Sequence, residues 1–120
     1  MRLMGKVLVV DDDPVFLTMM EEVLSQNSYE VVLQQSGINA LEVINKEQPD
    51  LVILDIIMPD KEGLETINDI RAKDMKLPVV VVSGISNIDY LDMAMDFGAD
   101  AMLTKPIDKS VLLNLVKDLI

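Results

Sequence analysis

Short apolar runs alternate with amphipathic stretches along the whole chain, and this alternation predicts strands and helices in turn. Five runs are predicted as strands: KVLVV at 6–10, YEVVL at 29–33, LVIL at 51–54, PVVVV at 78–82 and AMLT at 101–104. The first, third and fourth runs are apolar at consecutive positions, which is typical of strands that are buried on both faces. They therefore indicate a parallel sheet with helices on both sides.

The stretches between and after the runs carry apolar residues at helical spacing, so each is predicted to present one apolar face to the sheet. The five sets are Phe16, Met19, Met20, Val23 and Leu24; Leu41 and Ile44; Leu64, Ile67 and Ile70; Leu91, Ala94 and Met95; and Val111, Leu112, Leu115, Val116 and Leu119. Strands and helices in this alternation predict an α/β fold of the (βα)5 type.

Residues that begin and end helices agree with this pattern. Asp13 before Pro14 is typical of an N-cap followed by proline at the first helical position. Asp108 can cap the last helix, and Gly98 lies where the fourth helix should end. No repeat or linker interrupts the pattern, so residues 1–120 are expected to form one domain.

Composition limits the chemistry that this domain can perform. The 120 residues include 10 Lys and Arg against 21 Asp and Glu, for a net charge of −11, which argues against binding to nucleic acid or to an anionic membrane. The chain has no Cys and no His, so disulfides, thiolate zinc sites and histidine bases are excluded. No apolar run is long enough to cross a bilayer or to act as a secretory signal, and a soluble cytoplasmic protein is expected.

Polar residues follow four of the five predicted strands. The first strand leads into Asp11-Asp12-Asp13, the third into Asp55, the fourth into Ser83 and the fifth into Thr104-Lys105. In an open parallel sheet the binding site lies at the carboxyl ends of the strands. The sequence therefore predicts carboxylates, a hydroxyl and an ammonium at one edge of the sheet.

Such a group of residues fits phosphoryl chemistry. Clustered carboxylates attract a hard cation such as Mg²⁺, and an aspartate can itself accept a phosphoryl group. Taken singly, the same residues have simpler interpretations: Asp11 and Asp12 as cap or turn residues, Ser83-Gly84 as a turn, and Lys105 as a solvated lysine. The functional interpretation is strongest for Asp55, because an acidic side chain within so apolar a segment needs a partner.

The segments VLVVDDDP, LVILDIIMPDKEG, VVVVSG and FGADAMLTKPID resemble the successive signatures of receiver domains of two-component response regulators, including the chemotaxis regulators. The resemblance covers essentially the whole chain. It implies a flavodoxin-like three-layer sandwich with a five-stranded parallel sheet in the order 2-1-3-4-5.

The resemblance also implies a role for each acidic residue of the site. Asp55 would be the phosphoacceptor, and Asp12 a direct Mg²⁺ ligand. Asp11 would bind the ion mainly through water, and the main-chain carbonyl of Ile57 would complete the protein ligands.

The remaining motif residues would respond to the phosphoryl group. Lys105 would pair with Asp55 at rest and with a phosphoryl oxygen afterwards, and Ser83 would hydrogen-bond the phosphoryl group in the active state. The Lys105-Pro106 peptide bond would be cis, as in similar domains. Met58-Pro59 and Gly63 resemble the loop that follows the acceptor strand.

Several positions depart from the family or vary within it. Receivers commonly have Tyr or Phe three residues before the lysine, where this chain has Met102, so an aromatic-coupled switch is in doubt. Ile57 and Ile85 are apolar residues at the two positions that, by the resemblance, line the path of attack on the phosphoryl group. Their side chains would affect the access of water to that group. The nine methionines are interpreted mainly as core residues, although Met93, Met95 and Met102 fall in the family's usual output face.

The resemblance predicts a phosphoacceptor domain of a phosphorelay, which takes its phosphoryl group from a histidine kinase or a histidine phosphotransfer protein and acts on an unknown downstream partner. Homodimerisation linked to phosphorylation is a family property that the sequence leaves open. The domain would assist its own phosphorylation and dephosphorylation without being a turnover enzyme. The alternatives are a degenerate receiver that acts as a constitutive interaction module, and a small Mg²⁺-dependent aspartyl-phosphate phosphatase. The phosphatase usually needs an acid where this chain has Ile57.

Overall fold

The computed structural model describes residues 3–57, 63–73, 76–84 and 88–120. Its strands are β1 (Gly5–Val10), β2 (Tyr29–Gln34), β3 (Leu51–Asp55), β4 (Val79–Gly84) and β5 (Ala101–Lys105). Its helices are α1 (Pro14–Gln26), α2 (Ala40–Glu47), α3 (Gly63–Lys73), α4 (Ile88–Asp96) and α5 (Lys109–Leu119). The predicted alternation of strand and helix is confirmed.

The five strands form one parallel sheet in the order β2-β1-β3-β4-β5. The three inner strands are β1, β3 and β4, which are the strands with consecutive apolar residues, and Val7–Val10, Leu51–Leu54 and Val79–Val82 are at most 1% exposed. The edge strands β2 and β5 are only partly buried. Flavodoxin-like topology, which the resemblance implied, is confirmed.

Alternate side chains of the inner strands enter two separate cores. Leu8, Val52 and Leu54 pack with apolar residues of α2, α3 and α4 on one face of the sheet. Val7, Ile53 and Val80 pack with residues of α1 and α5 on the other face. Because both faces of the inner strands are covered by helices, hydrophobic burial holds the carboxyl ends of these strands in a fixed position.

The predicted helix ends are also found. The Asp13 carboxylate accepts a hydrogen bond from the Val15 N–H at 2.9 Å, and the Asp108 carboxylate accepts one from the Val111 N–H at 3.1 Å. Gly98 follows α4 with φ +116°, a left-handed conformation that favours glycine. These interactions are local, which is why residue type and spacing predict them.

Two residues that were predicted to lie on buried helix faces are exposed, so the prediction is wrong for them. Met95 is 37% exposed although Leu91 and Ala94 beside it are buried, and Val111 is 51% exposed. The methionines are not mainly core residues either: among those that the structure describes, Met20 alone is fully buried. Met93 and Met102 lie exposed on α4 and β5.

In the part of the chain that the structure describes, none of the helices combines the length and the apolar character needed to cross a membrane.

Candidate functional site

Strand register brings the polar residues of the sequence motifs to one edge of the sheet. Val10 pairs with Leu54, so Asp11 and Asp55 leave neighbouring strands side by side. Asp55 itself pairs with Val82, the residue before Ser83. Gly84 pairs with Lys105 on the adjacent edge strand. The strands β1, β3, β4 and β5 thus supply the side chains that the sequence predicted to meet.

Asp11 is fully buried and its carboxylate has a partner for each oxygen. Its Oδ1 accepts a hydrogen bond from the Asp13 N–H at 2.9 Å. Its Oδ2 accepts one from the Lys105 ammonium at 2.8 Å. An ionised carboxylate without solvent needs such charge-assisted hydrogen bonds, so the two contacts fix the orientation of this side chain.

Asp55 lies beside it at the end of β3 and is 6% exposed. Its Oδ1 accepts a hydrogen bond from the Ile57 N–H at 3.1 Å, and its Oδ2 lies 3.7 Å from the Lys105 ammonium. Burial raises the pKa of Asp55 to about 6, helped by the charges of Asp11 and Asp12, while the Ile57 N–H and Lys105 act in the opposite direction. At neutral pH the carboxyl is therefore mainly ionised but costly to keep so.

Asp12 completes a group of three carboxylates. One oxygen from each of Asp11, Asp12 and Asp55 can be chosen so that all three lie within 4.8 Å of one another. Two members are buried, whereas Asp12 is exposed to solvent. A set of hard oxygen donors that is open to water on one side suits Mg²⁺, which binds through one or two carboxylates and keeps several water ligands. The residues present therefore fit the ion.

Lys105 contacts more groups than its sequence motif predicts. Its ammonium is hydrogen-bonded to Asp11, lies near Asp55, and sits 4.3 Å from the centroid of the Phe16 ring. Burial lowers the pKa of Lys105, whereas the hydrogen bond with Asp11 and the charges of Asp55, Asp11 and Asp13 raise it. The raising effects are together larger, so the pKa lies above its ordinary value. The Lys105-Pro106 peptide bond is cis.

Gly63 brings the start of α3 against the end of β3. Its N–H donates to the Ile56 carbonyl at 2.9 Å. A Cβ at this position would lie 2.4 Å from the Cα of Ile56 and 2.9 Å from the carbonyl oxygen of Asp55. Only glycine permits this approach of the two backbones directly behind the acidic pocket.

The structure brings together Asp11, Asp12, Asp55 and Lys105, with Ser83 buried at the end of the neighbouring strand. Lys105 lies closer to Asp11 than to Asp55, a preference that the sequence analysis did not predict. Ile57 is 43% exposed at the edge of the pocket and Met102 is 39% exposed on β5. The predictions for Met58, Pro59 and Ile85 fall outside the described residues.

Phe16 is the residue of the site that the sequence analysis assigned only to the core. The available signal was its position in the first turn of α1, close behind the acidic motif of residues 11–13. Helical spacing cannot distinguish a ring that fills the core from one that also faces a charged side chain.

The sheet order and the acidic pocket at the carboxyl edge define the class of the chain as a flavodoxin-like α/β domain with a carboxylate site. Residues 7–117 match the family model described as "Response regulator receiver domain", and the chain belongs to that family. It is thus the receiver domain of a two-component response regulator.

Individual relatives agree with this membership. The response regulator MprA of Mycobacterium sp. (strain KMS) is 36% identical over 96% of this chain. The chain spans about half (50%) of the length of this relative. Among solved structures, the chemotaxis response regulator CheY4 of Vibrio cholerae matches with a TM-score of 0.88 and 27% identity, over 98% of this chain and 99% of its own. NtrX from Brucella abortus matches with a TM-score of 0.91 and 30% identity, over 99% of this chain and 27% of its own.

Proposed function

We propose that this domain accepts a phosphoryl group on Asp55 in a Mg²⁺-dependent reaction. The observation that carries the proposal is a buried carboxylate that belongs to an acidic cluster able to hold a cation and that lies 3.7 Å from a lysine ammonium. Such a carboxylate is a nucleophile whose surroundings supply the charge neutralisation that phosphoryl transfer requires.

The proposed donor is the phosphohistidine of a histidine kinase or of a histidine phosphotransfer protein, a proposal supported by membership of the receiver family. The 120 residues contain no histidine, so none of them can carry the phosphohistidine. One carboxylate oxygen of Asp55 attacks phosphorus and forms the new P–O bond. The P–N bond to the donor imidazole breaks, its electron pair stays on the ring nitrogen, and solvent supplies the proton that this nitrogen takes up. A small phosphodonor would serve in the same way.

The proposed protein ligands of Mg²⁺ are the carboxylates of Asp12 and Asp55, Asp11 mainly through water, and the main-chain carbonyl of Ile57. When bound, the ion neutralises charge on the carboxylates and on the phosphoryl oxygens. The Ile57 N–H holds the Asp55 carboxylate through Oδ1, and this hydrogen bond keeps the nucleophile oriented before the donor arrives.

Lys105 and Ser83 are proposed to bind the transferred group. The ammonium would leave Asp11 for a phosphoryl oxygen, and the Ser83 hydroxyl would donate to another one. These movements would alter the surface formed by α4, β5 and α5, where a downstream partner or a second copy of the chain would bind. Met102, which stands where the family commonly has an aromatic switch residue, is exposed on that surface.

Labelling with acetyl phosphate tests the acceptor. We expect intact-mass analysis to find one phosphoryl group on the wild-type chain in the presence of Mg²⁺, and none when EDTA replaces the ion. The Asp55→Asn variant should remain unlabelled, whereas Asp96→Asn, an exposed acid on α4, should label like the wild type.

Labelling that persists in Asp55→Asn would disprove the assignment of the acceptor. A chain that binds neither Mg²⁺ nor beryllofluoride would instead be a constitutive interaction module. Steady turnover of phosphomonoesters would indicate the phosphatase.

A further inference from the structure

The ammonium of Lys105 has a ring and two carboxylates as neighbours. The centroid of the Phe16 ring is 4.3 Å from Nζ. Nζ is also 2.8 Å from Oδ2 of Asp11 and 3.7 Å from Oδ2 of Asp55. A cation within about 6 Å of a ring centroid is attracted by the negative face of the ring. The phenyl ring is therefore the third group that holds this ammonium.

Phe16 is in a position to act on the ammonium because its own side chain is fixed. It is 8% exposed and packs in the core between the sheet and the helices α1 and α5. The Lys105 side chain, by contrast, is 27% exposed and ends in a strongly hydrated group on a flexible stem. Without the ring, the ammonium would keep only its carboxylate partners and would turn toward solvent more readily.

A ring can also remain in contact with the Lys105 ammonium when this ammonium changes its hydrogen-bond acceptor. A hydrogen-bond acceptor would bind the ammonium in one direction, whereas the face of a ring attracts a cation over a range of positions. The distances from Nζ to the Asp11 and Asp55 oxygens differ by only about 1 Å. A shift of about 1 Å toward Asp55 would still leave Nζ within the range of about 6 Å over which the ring attracts a cation.

We propose that Phe16 is a positioning residue for phosphoryl transfer, which holds the Lys105 ammonium in the acidic pocket through its ring face. This inference rests on the proposed function of Asp55 as the acceptor. It assigns to Phe16 a role that depends on the π-system of the ring, in addition to its apolar volume.

Substitutions that separate the ring from its volume test the proposal. Phe16→Leu keeps an apolar side chain but removes the ring, whereas Phe16→Tyr keeps the ring. With acetyl phosphate and saturating Mg²⁺, we expect the labelling rate to fall about two- to fivefold in Phe16→Leu and to stay near the wild-type rate in Phe16→Tyr. A small donor is used so that contacts with a partner protein do not contribute.

A structural readout without metal or phosphodonor accompanies the rates. In the wild type and in Phe16→Tyr, the ring current should shift the NMR signals of the Lys105 ε-methylene protons upfield. This shift should be lost in Phe16→Leu. Val23→Ala is the matched control, because Val23 is buried in the same core about two turns further along α1. It should lower stability without changing the Lys105 signals or the labelling rate.

Three results would overturn the proposal: a Phe16→Leu variant that labels at the wild-type rate, Lys105 signals that are unchanged in that variant, or a Val23→Ala control that slows labelling equally. Failure of the proposed function would look different, since the wild-type chain itself would then remain unlabelled or Asp55→Asn would still label.

Discussion

At the scale of single residues, the folded structure disfavours the ionised form of the Asp55 carboxyl, which is the main form at neutral pH. Its pKa is about 6 in the folded chain, mainly because burial disfavours the charged form. In the unfolded chain an aspartate has a pKa of about 3.9. The folded state therefore binds the proton more tightly, and the stability that this provides below pH 4 is lost as the pH rises through 6.

Replacement of Asp55 by asparagine should remove this penalty. In EDTA at pH 8, we expect Asp55→Asn to have a free energy of unfolding about 1–3 kcal/mol higher than the wild type. The amide oxygen can still accept the Ile57 N–H, and the difference should disappear below pH 4. Urea denaturation at pH 4, 6 and 8 measures it, with Asp96→Asn as the control. A difference that stays constant with pH would show that the titration of Asp55 is not its cause.

At the scale of elements, the site depends on the contact between the end of β3 and the start of α3. Ile56 lies between Asp55 and Ile57, and its backbone is in close contact with the backbone of Gly63. The packing of these two backbones thus helps to fix the position of Asp55. A side chain at position 63 would displace the end of β3, which carries the proposed acceptor.

The Gly63→Ala variant should therefore affect both stability and cation binding. An added Cβ at 2.4 Å from the Cα of Ile56 forces the two backbones apart, which should cost about 1–3 kcal/mol of unfolding free energy. Titration calorimetry should detect weaker Mg²⁺ binding, because the Asp55 carboxylate shifts with the backbone. Asn68→Ala, an exposed substitution in the same helix, is the control and should change neither quantity appreciably. Unchanged Mg²⁺ affinity in a destabilised Gly63→Ala would separate this contact from the site.

At the scale of the whole molecule, Arg71 connects three parts of the fold far from the acidic pocket. Its Nε donates to the Gly98 carbonyl at 2.8 Å, its Nη1 to the Leu77 carbonyl at 2.7 Å and its Nη2 to the Asp100 carboxylate at 2.8 Å. The same oxygen of Asp100 accepts the Val79 N–H at 2.8 Å. The guanidinium thus ties α3 to the start of β4 and to the turn between α4 and β5.

Loss of this guanidinium should destabilise the entire domain. We expect Arg71→Met to lower the free energy of unfolding by about 1–3 kcal/mol, because the partly buried carbonyls of Leu77 and Gly98 lose a charged donor, whereas the exposed pair with Asp100 adds little. Arg71→Lys should recover only part of this loss, since an ammonium cannot reproduce the planar fork. Urea denaturation measures both variants. The exposed Lys73→Met on the same helix should change stability by less than about 0.5 kcal/mol, and an equal loss there would disprove a specific role for Arg71.

Local features of this protein could be predicted from its sequence. Consecutive apolar residues marked the three inner strands, and the caps Asp13 and Asp108 were recognisable because each side chain bonds a backbone N–H within three residues. The strand order came from family resemblance, since apolar runs alone do not say which strands are neighbours.

The sequence by itself determined the alternation of strands and helices, the helix caps and the set of polar residues that the carboxyl edge of the sheet would collect. Only the tertiary structure decided how those residues pair. Lys105 is 94 residues away from Asp11, and its preference for Asp11 over Asp55, together with its place over Phe16, depends on side-chain reach across packed strands. The exposure of Met95 and Val111 was likewise decided by how far each helix face is covered. Periodicity records which residues share a face, whereas packing determines which part of that face is buried.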